Sequence, residues 1–246
     1  MVALATADGL VVSDLHVFRR YSQTAQLLPK LLQSASTKDF LVLNGDIFDF
    51  NWSVLPSIEQ TVSAAAEWLV ELIVRLPRCR IFYVMGNHDG LKPWANRLDE
   101  LTRSFRGQFS WVQAVLQLDD CWFFHGDLPL FRPDCDPFQR RLHPQGKSRG
   151  RAARVLHALG MRLNVHRLAY RLFPPIRCAR TIMFACERHQ PDALARVRRI
   201  FFGHTHNAFP HFLYRGIAFA NSGAALLGVR FLPIAVTVAG ESLLTA

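Results

Sequence analysis

Several features are scarce or missing in this sequence. No apolar run reaches the ~18 residues that a membrane-spanning helix needs. The first residues lack a basic patch followed by a long apolar stretch, so no secretory leader is expected. The five cysteines are odd in number and form no C-x-x-C pair, which argues against a disulfide framework and for reduced thiols in a cytoplasmic protein. No internal repeat or low-complexity linker interrupts the chain, and its composition excludes wholesale disorder and collagen-like repeats. Acidic residues are also few, 19 against 29 lysines and arginines.

What is present is an ordinary globular composition, 50% hydrophobic and 20% charged over 246 residues. That length suits one large α/β domain, or a core with an insertion, and it can bury a core without staples. The charge imbalance has a location. The stretch Arg132–Arg199 holds 16 of the 29 basic residues but only 4 of the 19 acidic ones. A localised basic excess points to an anionic partner, whether nucleic acid, lipid surface or phosphorylated substrate.

Hydrophobic periodicity orders the chain. Leu10–Val12, Phe40–Leu43, Ile81–Val84 and Ile200–Phe202 read as buried strands. Helices are expected over Gln23–Gln33, Glu59–Arg75, Trp94–Ser104, Arg151–Leu172 and Ala179–Arg188. Shorter β segments are expected at Trp111–Leu118 and Cys121–Phe124, with a hairpin turn at Asp119-Asp120, and two late strands at Ile217–Ala220 and Phe231–Val238.

The strong apolar runs end in polar clusters. These are Asp14-x-His16, Gly45-Asp46, Gly86-Asn87-His88-Asp89, His125-Gly126-Asp127 and Gly203-His204-x-His206. The carboxyl edge of an open α/β sheet is where ligands bind. Any one cluster alone has a plain structural explanation, such as a turn, a helix cap or a satisfied buried histidine. Jointly they do not, because burying so many Asp and His without partners is costly. Carboxylate, imidazole and amide oxygen together suit two divalent ions of borderline hardness.

The ordered pattern D-x-H, G-D, G-N-H-D, H and G-H-x-H resembles the calcineurin-like metallophosphoesterase family and runs from Asp14 to His206. The resemblance implies a four-layer α/β/β/α sandwich, with residues 1–127 and 197–246 as the core. Residues 128–196 would be a basic helical insertion acting as a lid. It also implies that Asp14, His16, Asp46 and His206 hold one ion and that Asp46, Asn87, His125 and His204 hold the other. Asp46 would bridge the two. The ions would be divalent, Mn2+ foremost, with Fe, Zn or Mg as alternatives. A hydroxide shared by the ions would attack phosphorus, His88 would serve the transition state or leaving group, and Asp89 would orient His88. Asp49 and Asp127 are weighed as supports of neighbouring site residues, and Asn221-Ser222-Gly223 as a tight turn.

Within that family the chain is similar to the UDP-2,3-diacylglucosamine pyrophosphohydrolases. The shared runs are Ser13-Asp14-Leu15-His16, Gly45-Asp46-Ile47-Phe48-Asp49 and His125-Gly126-Asp127, together with a helical insertion after the last. The best-known branch carries Arg where this chain has His88, so the likeness is to a sister branch. It implies a nucleotide-linked lipid cleaved to UMP and a lipid monophosphate, at or near an anionic membrane face on the cytoplasmic side. Leu156, Leu159, Leu163, Leu168, Leu172 and Phe173 would suit acyl chains. Candidate contacts for the phosphates are Arg140, Arg141, Lys147, Arg149, Arg151 and Arg154. The competing readings are a phosphodiesterase or nuclease, a phosphomonoesterase, and a non-enzymatic scaffold. The basic stretch shows no interleaved base-stacking platform, which counts against nucleic acid. No ligand position is missing, which counts against a scaffold.

Overall fold

The structure is a computed structural model that describes residues 6–132, 134, 136–145, 172–240 and 242–245. Its elements in chain order begin with β1 (Thr6–Val12), α1 (Thr24–Ala35), β2 (Phe40–Asn44), α2 (Ile58–Arg75), β3 (Arg80–Val84), α3 (Lys92–Ser104) and β4 (Phe109–Val112). Next come β5 (Val115–Leu118), β6 (Cys121–Phe124), α4 (Asp127–Phe131), α5 (Pro175–His189) and α6 (Pro191–Leu194). The chain closes with β7 (Arg199–Phe202), β8 (Phe209–Tyr214), β9 (Ile217–Asn221), β10 (Ile234–Ala239) and α7 (Ser242–Thr245).

The strands form two five-stranded sheets, ordered β10-β1-β2-β3-β4 and β5-β6-β7-β9-β8. In the first sheet β1 to β4 run parallel and β10 pairs antiparallel with β1. In the second, β6, β7 and β9 run parallel, flanked by antiparallel β5 and β8.

Side-chain alternation along these strands explains the layering. On β2 and β3, Leu41, Leu43, Ile81 and Tyr83 face the helices and pack with Ala65, Leu69, Leu72, Trp94 and Leu98. Their neighbours Phe40, Val42, Phe82 and Val84 face the other way, onto Leu116, Phe123 and Phe201 of the second sheet. On β6 and β7, Trp122, Phe124, Ile200 and Phe202 point outward onto Cys178, Ala179, Ile182, Met183 and Cys186 of α5. Strands covered on both faces must be apolar throughout, which is why β2 reads as an unbroken run. Each fully buried Phe contributes ~1.5–3 kcal/mol. The result is the expected α/β/β/α sandwich. Its fourth layer is α5, which lies inside the stretch expected as the insertion.

Three features differ from the sequence reading. Trp111–Leu118 is not one β segment, because the chain turns at Gln113-Ala114. β4 then completes the first sheet and β5 opens the second. β8 was not expected, because it is a half-exposed edge strand carrying Pro210, with neither a buried run nor alternation. The last strand starts at Ile234 and not Phe231, directly after Pro233. The helix expected over Arg151–Leu172 lies outside the described residues up to its last residue. Among the described residues no helix is long and apolar enough to cross a membrane.

Candidate metal centre

The polar clusters meet where the carboxyl ends of both sheets come together. β1 delivers Asp14 and His16, β2 delivers Asp46, and β3 delivers Asn87 and His88. β6 delivers His125, and β7 delivers His204 and His206. Asp14, His16, Asp46 and His125 are buried, while Asn87, His88, His204 and His206 are partly open.

The backbone is bent to aim these side chains. Asp14, His16, Asp46, His204 and His206 have φ between 47° and 68°, in the left-handed region. Each such residue costs ~1–2 kcal/mol relative to an ordinary conformation, and strain of this kind persists at functional sites because the surroundings hold it. Two glycines allow the loops to touch. A Cβ on Gly86 would sit 2.2 Å from Asp46 Oδ1, and one on Gly203 would sit 2.3 Å from Asp14 Oδ2.

Two groups of donors converge. In the first, His206 Nε2 lies 3.2 Å from both His16 Nε2 and Asp14 Oδ1. In the second, His125 Nε2 lies 3.0 Å from Asp46 Oδ2, 3.0 Å from Asn87 Oδ1 and 3.2 Å from His204 Nδ1. A single imidazole nitrogen has one lone pair or one proton, so it cannot satisfy three such partners. A cation at the shared point can. The ligand atoms of Asp14, His16 and His206 lie within 4.8 Å of one another, and so, as a separate group, do those of Asp46, His125 and His204. The residues present therefore fit two divalent ions of the borderline kind that accept mixed oxygen and imidazole ligands.

Around these donors sits a second ring of contacts. Asp49 is fully buried. Its Oδ1 lies 3.0 Å from His88 Nδ1, and its Oδ2 lies 3.5 Å from His16 Nδ1 and 3.3 Å from Arg19. His16, Asp49 and His88 could pass for a third metal group. The better account is that one carboxylate fixes two imidazoles through Nδ1 and leaves both Nε2 atoms facing the centre.

The electrostatics follow the same division. Burial opposes charge on His88, but Asp49 and Asp46 outweigh it and push its pKa up to about 9. Burial also opposes charge on His125, and Asp46 then lifts it to about 9. Burial lowers His16 to about 4, and burial with nearby His125 lowers His204 to about 3. Burial alone would raise Asp46, yet the surrounding histidines hold it well below the usual carboxylate range.

Asp89 does not orient His88. Its carboxylate accepts hydrogen bonds from Ile47 N at 2.9 Å, Gly86 N at 2.6 Å and the Tyr83 hydroxyl at 2.5 Å. It therefore ties the Asp46 loop to the Asn87 loop, while Asp49 contacts His88. Burial and the neighbouring Asp46 push Asp89 up to about 6. Arg140 is equally committed. It is buried and pairs with Asp127 through both terminal nitrogens, one at 3.1 Å from Oδ2, so it is not an open cation for a phosphate. Arg141 is exposed. Lys147, Arg149, Arg151 and Arg154 lie outside the described residues.

Further supports come from residues that the sequence did not mark as braces of the site. Asn44 donates across the sandwich to Phe124 O at 3.2 Å and Phe201 O at 3.1 Å, tying β2 to β6 and β7 beneath the site. Asn221 braces the other side, donating to Gly203 O at 2.9 Å and Thr205 Oγ1 at 3.1 Å, and Ser222 meets Ser13 at 2.8 Å.

The calcineurin-like phosphoesterase profile matches residues 10–208, which span every one of these clusters. The chain belongs to the calcineurin-like phosphoesterase family. It is thus a metal-dependent hydrolase with a dimetal-type centre. No curated protein matches the chain significantly. Among solved structures, a dimetal phosphatase from Danio rerio aligns over 89% of this chain and 88% of its own, at 12% identity and a TM-score of 0.46. A Pseudomonas putida nuclease, MPE, aligns over 91% and 78%, at 14% identity and a TM-score of 0.40. Likenesses this distant say nothing about which phosphoester this phosphoesterase cleaves.

Proposed function

We propose that this phosphoesterase hydrolyses the pyrophosphate bond of UDP-2,3-diacylglucosamine or a related nucleotide-linked lipid, releasing UMP and a lipid monophosphate. The observation that carries the hydrolytic part is the convergence of Asp46, Asn87 and His204 on one nitrogen of His125, beside the separate group of Asp14, His16 and His206. The substrate rests on the motif likeness and on the basic stretch between His125 and His204. Mn2+ is the proposed ion, with Asp46 as the shared ligand.

Bound divalent ions supply Lewis-acid polarisation of phosphoryl oxygens and lower the pKa of the water they hold. The chain supplies the rest. Asp14, His16 and His206 would hold one ion. Asn87, His125 and His204 would hold the other. Asp49 holds His88 by Nδ1, which leaves Nε2 directed at the centre, 3.9 Å from Asp46 Oδ2. Held by Asp49 through Nδ1, His88 can carry its exchangeable proton on Nε2 and deliver it to the leaving oxygen. Asp89 keeps the Asp46 and Asn87 loops in register. Lys147, Arg149, Arg151 and Arg154 are proposed to contact the phosphates or an anionic membrane face, with the insertion as a lid.

The test is hydrolysis, with Mn2+, of UDP-2,3-diacylglucosamine, bis-p-nitrophenyl phosphate and single-stranded DNA. UMP release from the first substrate at the highest kcat/KM supports the proposal. DNA cleavage without UMP release overturns it in favour of a nuclease.

A further inference from the structure

Beside the metal centre an exposed aromatic side chain is held against a candidate metal ligand. Phe131 ends the short helix α4. Pro129 of the same helix is buried, yet Phe131 is 60% exposed. Its ring meets the His204 imidazole edge to face, with centroids 4.9 Å apart and planes at 85°. On its other side it meets Phe173 at 5.6 Å. The Arg177 guanidinium lies over the Phe173 ring, 5.4 Å from its centroid, and Arg177 is exposed. Phe173 is fixed in turn, since Asn207, directly after His206, donates to its carbonyl at 3.2 Å. The four groups form a continuous path from a metal ligand to a surface cation.

We propose that Phe131, Phe173 and Arg177 form the subsite for the nucleobase of a nucleotide whose phosphate sits at the metal centre. This rests on the phosphoesterase reading above and assigns one part of the substrate to named residues. An open ring next to the phosphate position offers a planar face for stacking, and any base has a π-face to match it. A guanidinium at the outer end suits the carbonyl oxygens and negative charge of a nucleotide. An acyl chain fits worse, because it would cover the Arg177 charge and offer no partner in return.

The test measures binding to the Mn2+-loaded protein by calorimetry, independently of turnover. The ligands are UMP, inorganic phosphate and decyl phosphate, on the wild type and on the Phe131→Leu and Arg177→Gln variants. Leucine keeps an apolar side chain at an exposed position, so the fold is expected to persist. Wild type is expected to bind UMP more tightly than inorganic phosphate. Phe131→Leu is expected to weaken UMP roughly tenfold, as for the loss of one base–aromatic stack. Inorganic phosphate and decyl phosphate should stay within about twofold, and Arg177→Gln should weaken UMP by a smaller factor. Equal weakening of UMP and inorganic phosphate by Phe131→Leu would overturn the subsite, showing that the ring only supports His204. Selective loss of decyl phosphate would overturn it in favour of an acyl site. Failure of wild type to bind inorganic phosphate at all would defeat the phosphoesterase reading itself.

Discussion

The two sheets bring different chemistry to one edge. The first supplies both carboxylates and the amide, through Asp14, Asp46 and Asn87, together with His16 and His88. The second supplies imidazoles alone, through His125, His204 and His206. Neither sheet holds a complete set of donors. The first metal group takes Asp14 and His16 from one sheet and His206 from the other, and the second takes Asp46 from one and His125 and His204 from the other. The site is therefore a property of the seam, and anything that moves one sheet relative to the other should loosen both ion positions.

Removing a donor from either side breaks the comparison most severely. Asn87→Ala and His125→Ala should each reduce kcat/KM by roughly a thousandfold or more, since each removes several kcal/mol of ion-dependent transition-state stabilisation. Steady-state assays with Mn2+ check this, and wild-type rates in both variants would refute the assignment.

The next largest effect separates chemistry from ion binding. His88→Ala should cut kcat by ~10²–10⁴-fold while elemental analysis finds the metal content nearly unchanged. Loss of metal would make His88 a ligand. A general acid works only while protonated. Burial opposes charge on His88 and Asp49 favours it, so in the metal-loaded enzyme kcat should fall as pH rises through the His88 pKa. Asp49→Asn removes one of the charges that raise it, so the alkaline limb should move to lower pH. A limb that stays in place would remove Asp49 from this role.

The seam itself can be loosened without touching a ligand. Asn44→Ala deprives two buried carbonyls of the second sheet of their donor, so urea denaturation should show a loss of ~1–3 kcal/mol. Activity should fall with it if sheet alignment matters. The smallest expected effect concerns two arginines outside the described residues. Neutralising Arg149 and Arg151 together should raise KM a few-fold at low salt and less at high salt, as a screened contact would. An unchanged KM would mark these residues as a solvated face.

Most of the centre was legible in the sequence for a physical reason. Parallel strands buried on both faces are apolar throughout, so polar residues at their ends stand out, and each cluster marks its own strand. Contacts between loops were not legible. His88 and Asp89 are adjacent in sequence, but consecutive side chains diverge. Asp89 turns to Tyr83 and the backbone, and the partner of His88 comes from another loop as Asp49. The division into sheets was hidden at Gln113-Ala114, where a two-residue turn interrupts a run that otherwise reads as strand. β8 was hidden because an exposed edge strand needs no periodicity. Arg140 was read from its charge alone, and its burial against Asp127 is a tertiary fact.

The central claim is that two ions sit on the seam, each held from both sheets. Anomalous diffraction from crystals of the Mn2+-loaded protein tests it most directly. Two peaks should appear ~3.5–4 Å apart, one among Asp14, His16 and His206 and the other among Asp46, His125 and His204. A single peak, or a peak enclosed by His16, Asp49 and His88, would contradict it.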